Sequence, residues 1–308
     1  MKKRLLITGG TGLLALNWAC AMRENWNVTL GTHHHSVSLA GVCSLRLDLD
    51  DLIRLHDQIK LVSPDLVVHT AGLTSVDICE QFPDLAYQAN VEITRNVALA
   101  VAKYGAALIH ISTDHLFSGR KSMIAEGEPY APVNHYANSK ALGEMAVINT
   151  NPSALVLRTN FFGWGHARRH SFTDWLIFNL RANKELSLFD DVFFTPILAD
   201  VVALAAHELV EKGVSGIFNM VGDQRLSKYQ FARILVEQFS LPEHLLLPCS
   251  LNVAELKAPR PTDMSLDNSK VREALGRDLG NVSHFLALLY QQEAHGRSAE
   301  MFCSVTPN

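Results

Sequence analysis

The fold of this chain follows from residues 4 to 15, which read Arg4-Leu5-Leu6-Ile7-Thr8-Gly9-Gly10-Thr11-Gly12-Leu13-Leu14-Ala15. The apolar run before the glycines is typical of a buried parallel strand. Gly9 tolerates the positive φ of a tight turn, and Gly12, which lacks a Cβ, lets a pyrophosphate approach the backbone. A helix beginning at Leu13 would offer that anion free N–H groups and a positive dipole end. The stretch predicts a dinucleotide-binding turn, although a glycine-rich turn without a ligand would look the same.

The composition is that of an ordinary soluble enzyme. The chain has 308 residues, of which 48% are hydrophobic and 19% charged, and its net charge of −4 argues against a general nucleic-acid-binding protein. The five cysteines are widely spaced and include no Cys-x-x-Cys, which favours a reducing, cytoplasmic location over a disulfide framework. The sequence has no stretch of 18 apolar residues, so we expect no membrane span.

Strand and helix patterns alternate along the first half of the chain. Buried-strand patterns occur at residues 26–30, 45–49, 65–72 and 107–112. One long helix is predicted from Pro83 to Tyr104, where Gly105 ends it. This alternation predicts a parallel, right-handed, doubly wound α/β sheet. The regularity weakens beyond residue 160, and the tail from Glu293 is predicted to be frayed.

The end of the second predicted strand indicates which cofactor is bound. An acidic residue ~20 residues after the glycine turn would accept hydrogen bonds from the ribose of NAD. Residues 32–36 read Thr-His-His-His-Ser instead, so Thr32 and His33 can donate to a 2′-phosphate and no carboxylate repels it. NADP(H) is therefore favoured, with NAD(H) as the alternative. Adjacent histidines on an extended segment point to alternate sides, so we expect no metal site.

The third predicted strand ends at acidic residues with two interpretations. Asp48 is predicted to lie in the adenine pocket, with Leu49 beside it. The alternative is that Asp48, Asp50 or Asp51 simply caps the helix predicted at residues 52–61.

The fourth predicted strand ends in small residues, Thr70, Ala71 and Gly72, which would let the backbone approach a cofactor. His69 within this strand is better interpreted as a core histidine with satisfied hydrogen bonds than as a ligand. Asn90, in the long helix that follows, is polar among apolar neighbours.

The fifth predicted strand delivers Thr113 to its carboxyl end, where ligands bind in open α/β sheets. Tyr136 and Lys140 are four residues apart, so they share one face of a helix. A neighbouring ammonium and an oxidised nicotinamide would favour the phenolate and lower the Tyr136 pKa toward neutrality. Thr113 could hydrogen-bond the same substrate oxygen as the phenol.

These motifs resemble those of the extended short-chain dehydrogenase/reductase family, and within it the dTDP-4-dehydrorhamnose reductase group. The resemblance covers nearly the whole chain. It is carried by residues 8–12 (TGGTG), 69–77 (HTAGLTSVD), 111–119 (ISTDHLFSG), 136–140 (YANSK), 158–163 (RTNFFG) and 260–270 (RPTDMSLDNSK).

The resemblance implies a Rossmann-type sheet with a smaller C-terminal lobe, NAD(P)H as hydride donor, and a nucleotide-linked 4-keto-6-deoxy sugar as substrate. It implies Thr113, Tyr136 and Lys140 as the catalytic set. The predicted cofactor-binding residues are Gly9, Thr11, Gly12, Leu13, Leu14, Thr32, His33, Asp48, Leu49, Thr70, Ala71, Gly72, Thr74, Asn90, Tyr136 and Lys140. The predicted substrate-binding residues are Val76, Asp114, His115, Asn160, Phe161, Arg168 and Arg260.

We expect an NAD(P)-binding domain at residues 1–160, with a return segment near residues 190–212, and a substrate lobe at 161–308. A homodimer is compatible with the resemblance, and neither a membrane nor a nucleic acid is an expected partner. Arg168 and Arg169 could clamp a substrate diphosphate or lie on a solvated basic loop.

The chain departs from the group at three positions near the expected sugar. His115 replaces a usual Tyr, Phe161 replaces a usual Trp, and Thr195-Pro196 reverses the usual order. The residue after Asp114 is not the Glu of the related 4,6-dehydratases, which disfavours dehydration. A sugar-nucleotide epimerase is the enzymatic alternative. A non-catalytic binding subunit is another, because the regulatory subunit of methionine adenosyltransferase resembles the same group.

Overall fold

A seven-stranded parallel sheet forms the centre of the computed structural model, which describes residues 2–253 and 256–307. The strands are β1 (Arg4–Thr8), β2 (Asn27–Thr32), β3 (His35–Val37), β4 (Val42–Arg46), β5 (Leu66–His69), β6 (Ala107–Ile111), β7 (Leu155–Arg158), β8 (Phe161–Phe162), β9 (Leu186–Phe189), β10 (Phe193–Phe194), β11 (Ile197–Leu198), β12 (Gly216–Asn219), β13 (Leu226–Ser227), β14 (Leu246–Cys249) and β15 (Val305–Pro307). The order in the central sheet is β12-β7-β6-β5-β1-β2-β4.

Helices cover both faces of this sheet. They are α1 (Leu13–Met22), α2 (Leu52–Val62), α3 (Val76–Gln81), α4 (Pro83–Tyr87), α5 (Ile93–Tyr104), α6 (His135–Thr150), α7 (Phe172–Arg181), α8 (Ala199–Glu211), α9 (Lys228–Gln238), α10 (Ser269–Leu275), α11 (Val282–Ala294) and α12 (Arg297–Phe302). Within the described ranges, no helix is long and apolar enough to cross a bilayer.

Strand β1 shows why the sheet is covered on both sides. Leu5 and Ile7 belong to a core shared with α1 and α8, whereas Leu6 between them belongs to a second core shared with α2 and α5. All three are fully buried, as side-chain alternation in a central strand requires. The strand order reverses beside β1, between β2 on one side and β5 on the other, and ligands bind at such a switch point. The predicted doubly wound α/β fold is confirmed.

Two predicted elements differ from the structure. The third predicted strand, at residues 45–49, is instead β4 at residues 42–46. Leu47 lies just past its end, where its N–H bonds the Thr32 carbonyl at 2.8 Å and its side chain is buried. The predicted long helix runs through residues 83–104, but a π-helical segment at Gln88–Glu92 separates α4 from α5. Gly105 ends it with a φ of +69°, as expected.

The predicted fraying of the tail is wrong. Strand β15 pairs antiparallel with β3, and α12 buries Met301 completely in the main core. The Arg23 guanidinium also donates two hydrogen bonds to the Glu300 carboxylate, at 2.5 and 3.0 Å. All these partners lie far away in the sequence, so local composition could not indicate them.

The second half of the chain returns to the central sheet before it continues. Helix α8 packs against α1, and β12 adds a strand to the sheet edge beside β7. The division into a domain at residues 1–160 with a return segment and a lobe at 161–308 stays a prediction.

Candidate active site

The glycine-rich turn after β1 leaves a cradle that a larger residue would fill. Gly9 has a φ of +68°, and a Cβ there would lie 2.7 Å from the Ala71 backbone nitrogen. The Gly12 N–H closes the turn onto the Gly9 carbonyl at 2.7 Å. No side chain caps the start of α1, so the N–H groups of its first turn stay available to an anion. This geometry fits a dinucleotide pyrophosphate.

A cavity of about 560 Å³ extends from this turn along the ends of β1, β2 and β5. The predicted cofactor residues that line it are Gly9, Thr11, Gly12, Thr32, His33, Leu49, Thr70, Ala71, Gly72 and Thr74. Leu13 and Leu14 line the adjoining cleft described below. The shape and the donor set therefore fit an extended dinucleotide such as NADP(H).

Asp48 is not among the residues that line this cavity. Its carboxylate lies 3.4 Å from the Arg54 guanidinium, and its neighbour Asp50 lines the cavity instead. Asp51 caps α2 by accepting from the Ile53 and Arg54 N–H groups, which confirms the capping alternative for one of the three aspartates. Adenine contact by Asp48 stays a prediction.

Asn90 holds the cofactor cavity in shape rather than facing it. It is 1% exposed within the π-helical segment, where its amide bonds both the N–H and the carbonyl of Leu73. The same amide donates to the Ser139 hydroxyl at 2.9 Å, on the helix that carries Tyr136 and Lys140. Asn90 thus ties the loop after β5 to helix α6. His69 is a satisfied core histidine, as expected, since its ring nitrogens contact the Thr8 and Thr94 hydroxyls.

A second cleft, of about 240 Å³, adjoins the first and contains the predicted catalytic residues. Thr113 follows β6, and helix α6 brings Tyr136 and Lys140 to the same cleft because they lie four residues apart. The predicted substrate residues in its lining are Val76, Asp114, His115, Asn160 and Phe161. Thr70, Gly72 and Thr74 line both cavities, so the two spaces meet there.

The Tyr136 phenol is buried and stays protonated. Burial raises the pKa of Tyr136 to about 12, and its hydrogen bond with the Thr113 side chain only partly offsets this. In the protein alone the shift is upward because desolvation disfavours the phenolate, and the lowering by an oxidised nicotinamide stays a prediction. The His115 ring packs edge-on against the Tyr136 ring, with 5.6 Å between centroids.

The Lys140 ammonium is buried in the same cleft as the phenol. It donates to the Ile111 carbonyl at 2.7 Å, and burial lowers the pKa of Lys140 to about 8. On the substrate side, the Asn160 amide donates to the Asp114 carboxylate, which also accepts from the Thr113 hydroxyl at 3.3 Å. These contacts fix the polar end of the cleft around Thr113.

The two arginines of the loop after β8 occupy different positions. Both are exposed, but Arg169 lines both cavities and donates to the Thr74 hydroxyl at 2.7 Å, whereas Arg168 lines neither. Arg260 also lies outside both linings and pairs with Asp77 at 2.9 Å. Substrate binding by Arg168 and Arg260 stays a prediction.

Lys228 lies over the rings of Phe194 and Phe172, a position that the sequence patterns do not reveal. It directly follows Ser227, which caps α9 with a capping box, and therefore looks like an ordinary first helical residue.

In the part of the chain that the structure describes, no group of three His, Cys, Asp or Glu side chains has metal-binding geometry.

Comparisons with known proteins agree with this geometry. The family model described as the RmlD substrate binding domain matches residues 2–294. A probable low-salt glycan biosynthesis reductase, Agl14 of Haloferax volcanii, is 29% identical and covers 92% of this chain and 96% of its own length. Methionine adenosyltransferase 2 subunit beta of Mus musculus is 30% identical, covering 89% of this chain and 83% of itself.

A solved structure shares the fold over nearly its whole length. It is dTDP-4-dehydrorhamnose reductase from Bacillus anthracis in complex with NADP, with a TM-score of 0.84 at 23% identity, covering 95% of this chain and 100% of that chain. The family match confirms both the resemblance of the motifs and the predicted class, an NAD(P)-dependent oxidoreductase. The chain belongs to the RmlD substrate binding domain family, a group of extended short-chain dehydrogenases/reductases.

Proposed function

We propose that the protein is an NADPH-dependent reductase of a nucleotide-linked 4-keto-6-deoxy sugar. The observation that carries this proposal is the convergence of Thr113, Tyr136 and Lys140 on one cleft that adjoins the dinucleotide cavity. Two hydroxyl groups in the lining of one cleft suit a ketone that becomes an alkoxide.

The roles of the residues follow from their protonation states. The bound nicotinamide would supply the hydride to the sugar carbonyl. Tyr136 keeps its proton at neutral pH and would donate it to the forming alkoxide, while Thr113 would orient the oxygen. Lys140 lies one helical turn from Tyr136 in the same cleft, and its positive charge would stabilise the phenolate that remains.

The cofactor residues support NADPH over NADH. Thr32 and His33 line the cavity where the second strand ends, and neither carries a negative charge that would repel a 2′-phosphate. The glycine turn and the uncapped start of α1 would hold the pyrophosphate. A neighbour of the same fold contains NADP, which agrees with this choice.

The test is a turnover assay with NADPH and a panel of nucleotide-linked 4-keto-6-deoxyhexoses. At least one should give a stoichiometric loss of nicotinamide absorbance. The Tyr136→Phe variant keeps the ring but lacks the transferable proton, so its rate should fall ~10²–10⁴-fold with NADPH affinity unchanged. A near wild-type rate for this variant would remove Tyr136 from the mechanism.

A binding subunit is the second candidate, because relatives at 30% identity are named as the beta subunit of methionine adenosyltransferase 2. It predicts tight NADPH binding without turnover, together with a stable hetero-complex in a pull-down. An epimerase of the same family would convert the sugar without net loss of NADPH. Stoichiometric NADPH consumption excludes both alternatives.

A further inference from the structure

His166 anchors the loop at residues 163–171 on the glycine-rich turn. Its ring is 4% exposed, with Nε2 3.0 Å from the Thr11 carbonyl, and the Arg168 N–H donates to Nδ1 at 3.3 Å. A carbonyl oxygen only accepts and a backbone N–H only donates, so Nε2 carries the ring proton and Nδ1 is the acceptor. Both ring nitrogens of a neutral histidine are therefore engaged, which fixes the orientation of the ring.

The backbone of His166 fixes the position of Arg169. The His166 N–H donates to the Arg169 carbonyl at 3.1 Å, and the Arg169 N–H donates back to the His166 carbonyl at 2.9 Å. Gly165 makes this tight turn possible, because a Cβ there would overlap the Arg169 carbonyl oxygen. His166 thus holds the glycine-rich turn with its ring and Arg169 with its main chain.

The Arg169 guanidinium lies where the two cavities meet. It donates to the Thr74 hydroxyl at 2.7 Å, and both residues line the dinucleotide cavity as well as the catalytic cleft. Among residues 2–253 and 256–307, no carboxylate forms an ion pair with this guanidinium. Its charge and its other N–H donors therefore stay available, and a planar guanidinium suits paired phosphate oxygens.

Contacts between distant segments hold Arg169 in this place. From Thr11 in the turn after β1, they pass through His166 and Arg169 to Thr74 in the loop after β5. Thr11 and Thr74 both line the dinucleotide cavity, so this chain of contacts begins and ends at that cavity. Without the bond from the His166 ring, the turn at residues 166–169 would keep its own hydrogen bonds but lose this link to the glycine-rich turn.

We propose that His166 is a positioning residue, which holds the Arg169 guanidinium where it binds a diphosphate. The inference rests on the proposed function, in which the ligands of the two cavities each carry a diphosphate. These are the pyrophosphate of the dinucleotide and the diphosphate of the nucleotide sugar, which share the chemistry that a guanidinium recognises. Separate titrations with NADPH and with a nucleoside diphosphate identify which of the two Arg169 binds.

Binding affinities of single and double variants test this role. NADPH is titrated by fluorescence, and dTDP and UDP are titrated by calorimetry into the NADP-saturated protein. For whichever ligand Arg169→Ala weakens ~10-fold, His166→Leu should weaken binding ~3–10-fold, as loss of one hydrogen bond requires. The double variant should bind at most about twofold more weakly than Arg169→Ala, because His166 acts through Arg169. Thymidine and uridine, which lack phosphates, should bind all variants equally.

Two further variants separate positioning from a general structural effect. His166→Gln can still donate an amide N–H to the Thr11 carbonyl, so it should recover most of the affinity that His166→Leu loses. His207→Leu is the matched control, since His207 is also a buried histidine, accepts from Trp18 Nε1 at 3.1 Å, and lines neither cavity. It should leave every affinity unchanged.

Unchanged affinities for all three ligands in Arg169→Ala would overturn the proposal, as would unchanged affinities in His166→Leu or additive losses in the double variant. Thermal unfolding shows whether each variant is folded; if His166→Leu fails this check, His166→Asn, whose shorter amide falls short of the Thr11 carbonyl, replaces it. The proposed function fails separately, if no keto-sugar nucleotide consumes NADPH while these affinities still depend on His166 through Arg169.

Discussion

Lys140 and Tyr136 are buried side by side, and burial shifts both toward their neutral forms. The pKa of Tyr136 rises to about 12, so its proton is present throughout the neutral range. The pKa of Lys140 falls to about 8, so its positive charge is lost just above neutrality. At the scale of single residues, the proposed mechanism therefore loses the lysine charge before it loses the acid as the pH rises.

We expect kcat/KM for reduction to be level below the Lys140 pKa and to decline as the pH rises through about 8, because a neutral amine no longer stabilises the phenolate. Initial rates between pH 6 and 10 measure this, with a stability check at each pH. Lys140→Arg does not titrate in this range, so its residual activity should lack the decline. A flat wild-type profile to pH 10 would contradict the role given to Lys140.

At the scale of elements, the loop at residues 163–171 is held by contacts from three directions. The Asp174 carboxylate accepts from the N–H groups of Gly165 and Ser171, at 2.8 and 2.7 Å. His166 Nε2 lies 3.0 Å from the Thr11 carbonyl in the glycine turn, and the Ala167 N–H donates to the Phe302 carbonyl at 3.1 Å. These contacts fix the path of the loop past the place where the two cavities meet.

This path predicts different effects for two adjacent arginines. Arg169→Ala should weaken NADPH or nucleotide-sugar binding ~10-fold, since Arg169 lines both cavities and a guanidinium suits phosphate oxygens. Arg168→Ala should change neither by more than about twofold, because its side chain lines neither cavity. Fluorescence titration with NADPH and calorimetry with dTDP compare the two variants. A larger loss in Arg168→Ala would show that the loop changes its path when ligands bind.

At the scale of the whole molecule, three buried histidines make the stability depend on pH. Burial lowers the pKa of His69 to about 3, that of His207 to about 4, and that of His110 well below its usual range. The unfolded chain protonates its histidines near pH 6.5, so below that pH it binds more protons than the folded protein. Each buried histidine therefore costs ~1.4 kcal/mol of stability per pH unit as the pH falls below 6.5 toward its folded pKa.

His110→Leu isolates one of these contributions. The His110 ring is fully buried, and neither ring nitrogen has a hydrogen-bond partner among the described residues, so leucine removes a titrating group at little polar cost. Its stability should fall about 1 kcal/mol less than that of wild type between pH 6.5 and 5.5, since the unfolded histidine is already half protonated at pH 6.5. Urea unfolding at both pH values measures this, with exposed His135→Gln as the control. An equal loss of stability in His110→Leu and in wild type would contradict this role of His110.

The sequence by itself determined the features that depend on local geometry. The glycine turn, the start of α1 and the αL end of α5 at Gly105 follow from which dihedral angles each residue tolerates. The common face of Tyr136 and Lys140 follows from the helical repeat. The doubly wound order follows from alternating strand and helix patterns, which leave few right-handed topologies.

Only the tertiary structure decided which of several similar side chains reaches the site. Asp50 rather than Asp48 lines the cofactor cavity because β4 ends at residue 46, and Arg169 rather than Arg168 lines it because distant contacts fix the path of its loop. The direction of the Tyr136 pKa shift depends on burial by residues far along the chain. The Lys228 ammonium lies over the Phe194 ring only because β10 and β13 pair, and no local pattern encodes contacts between distant segments.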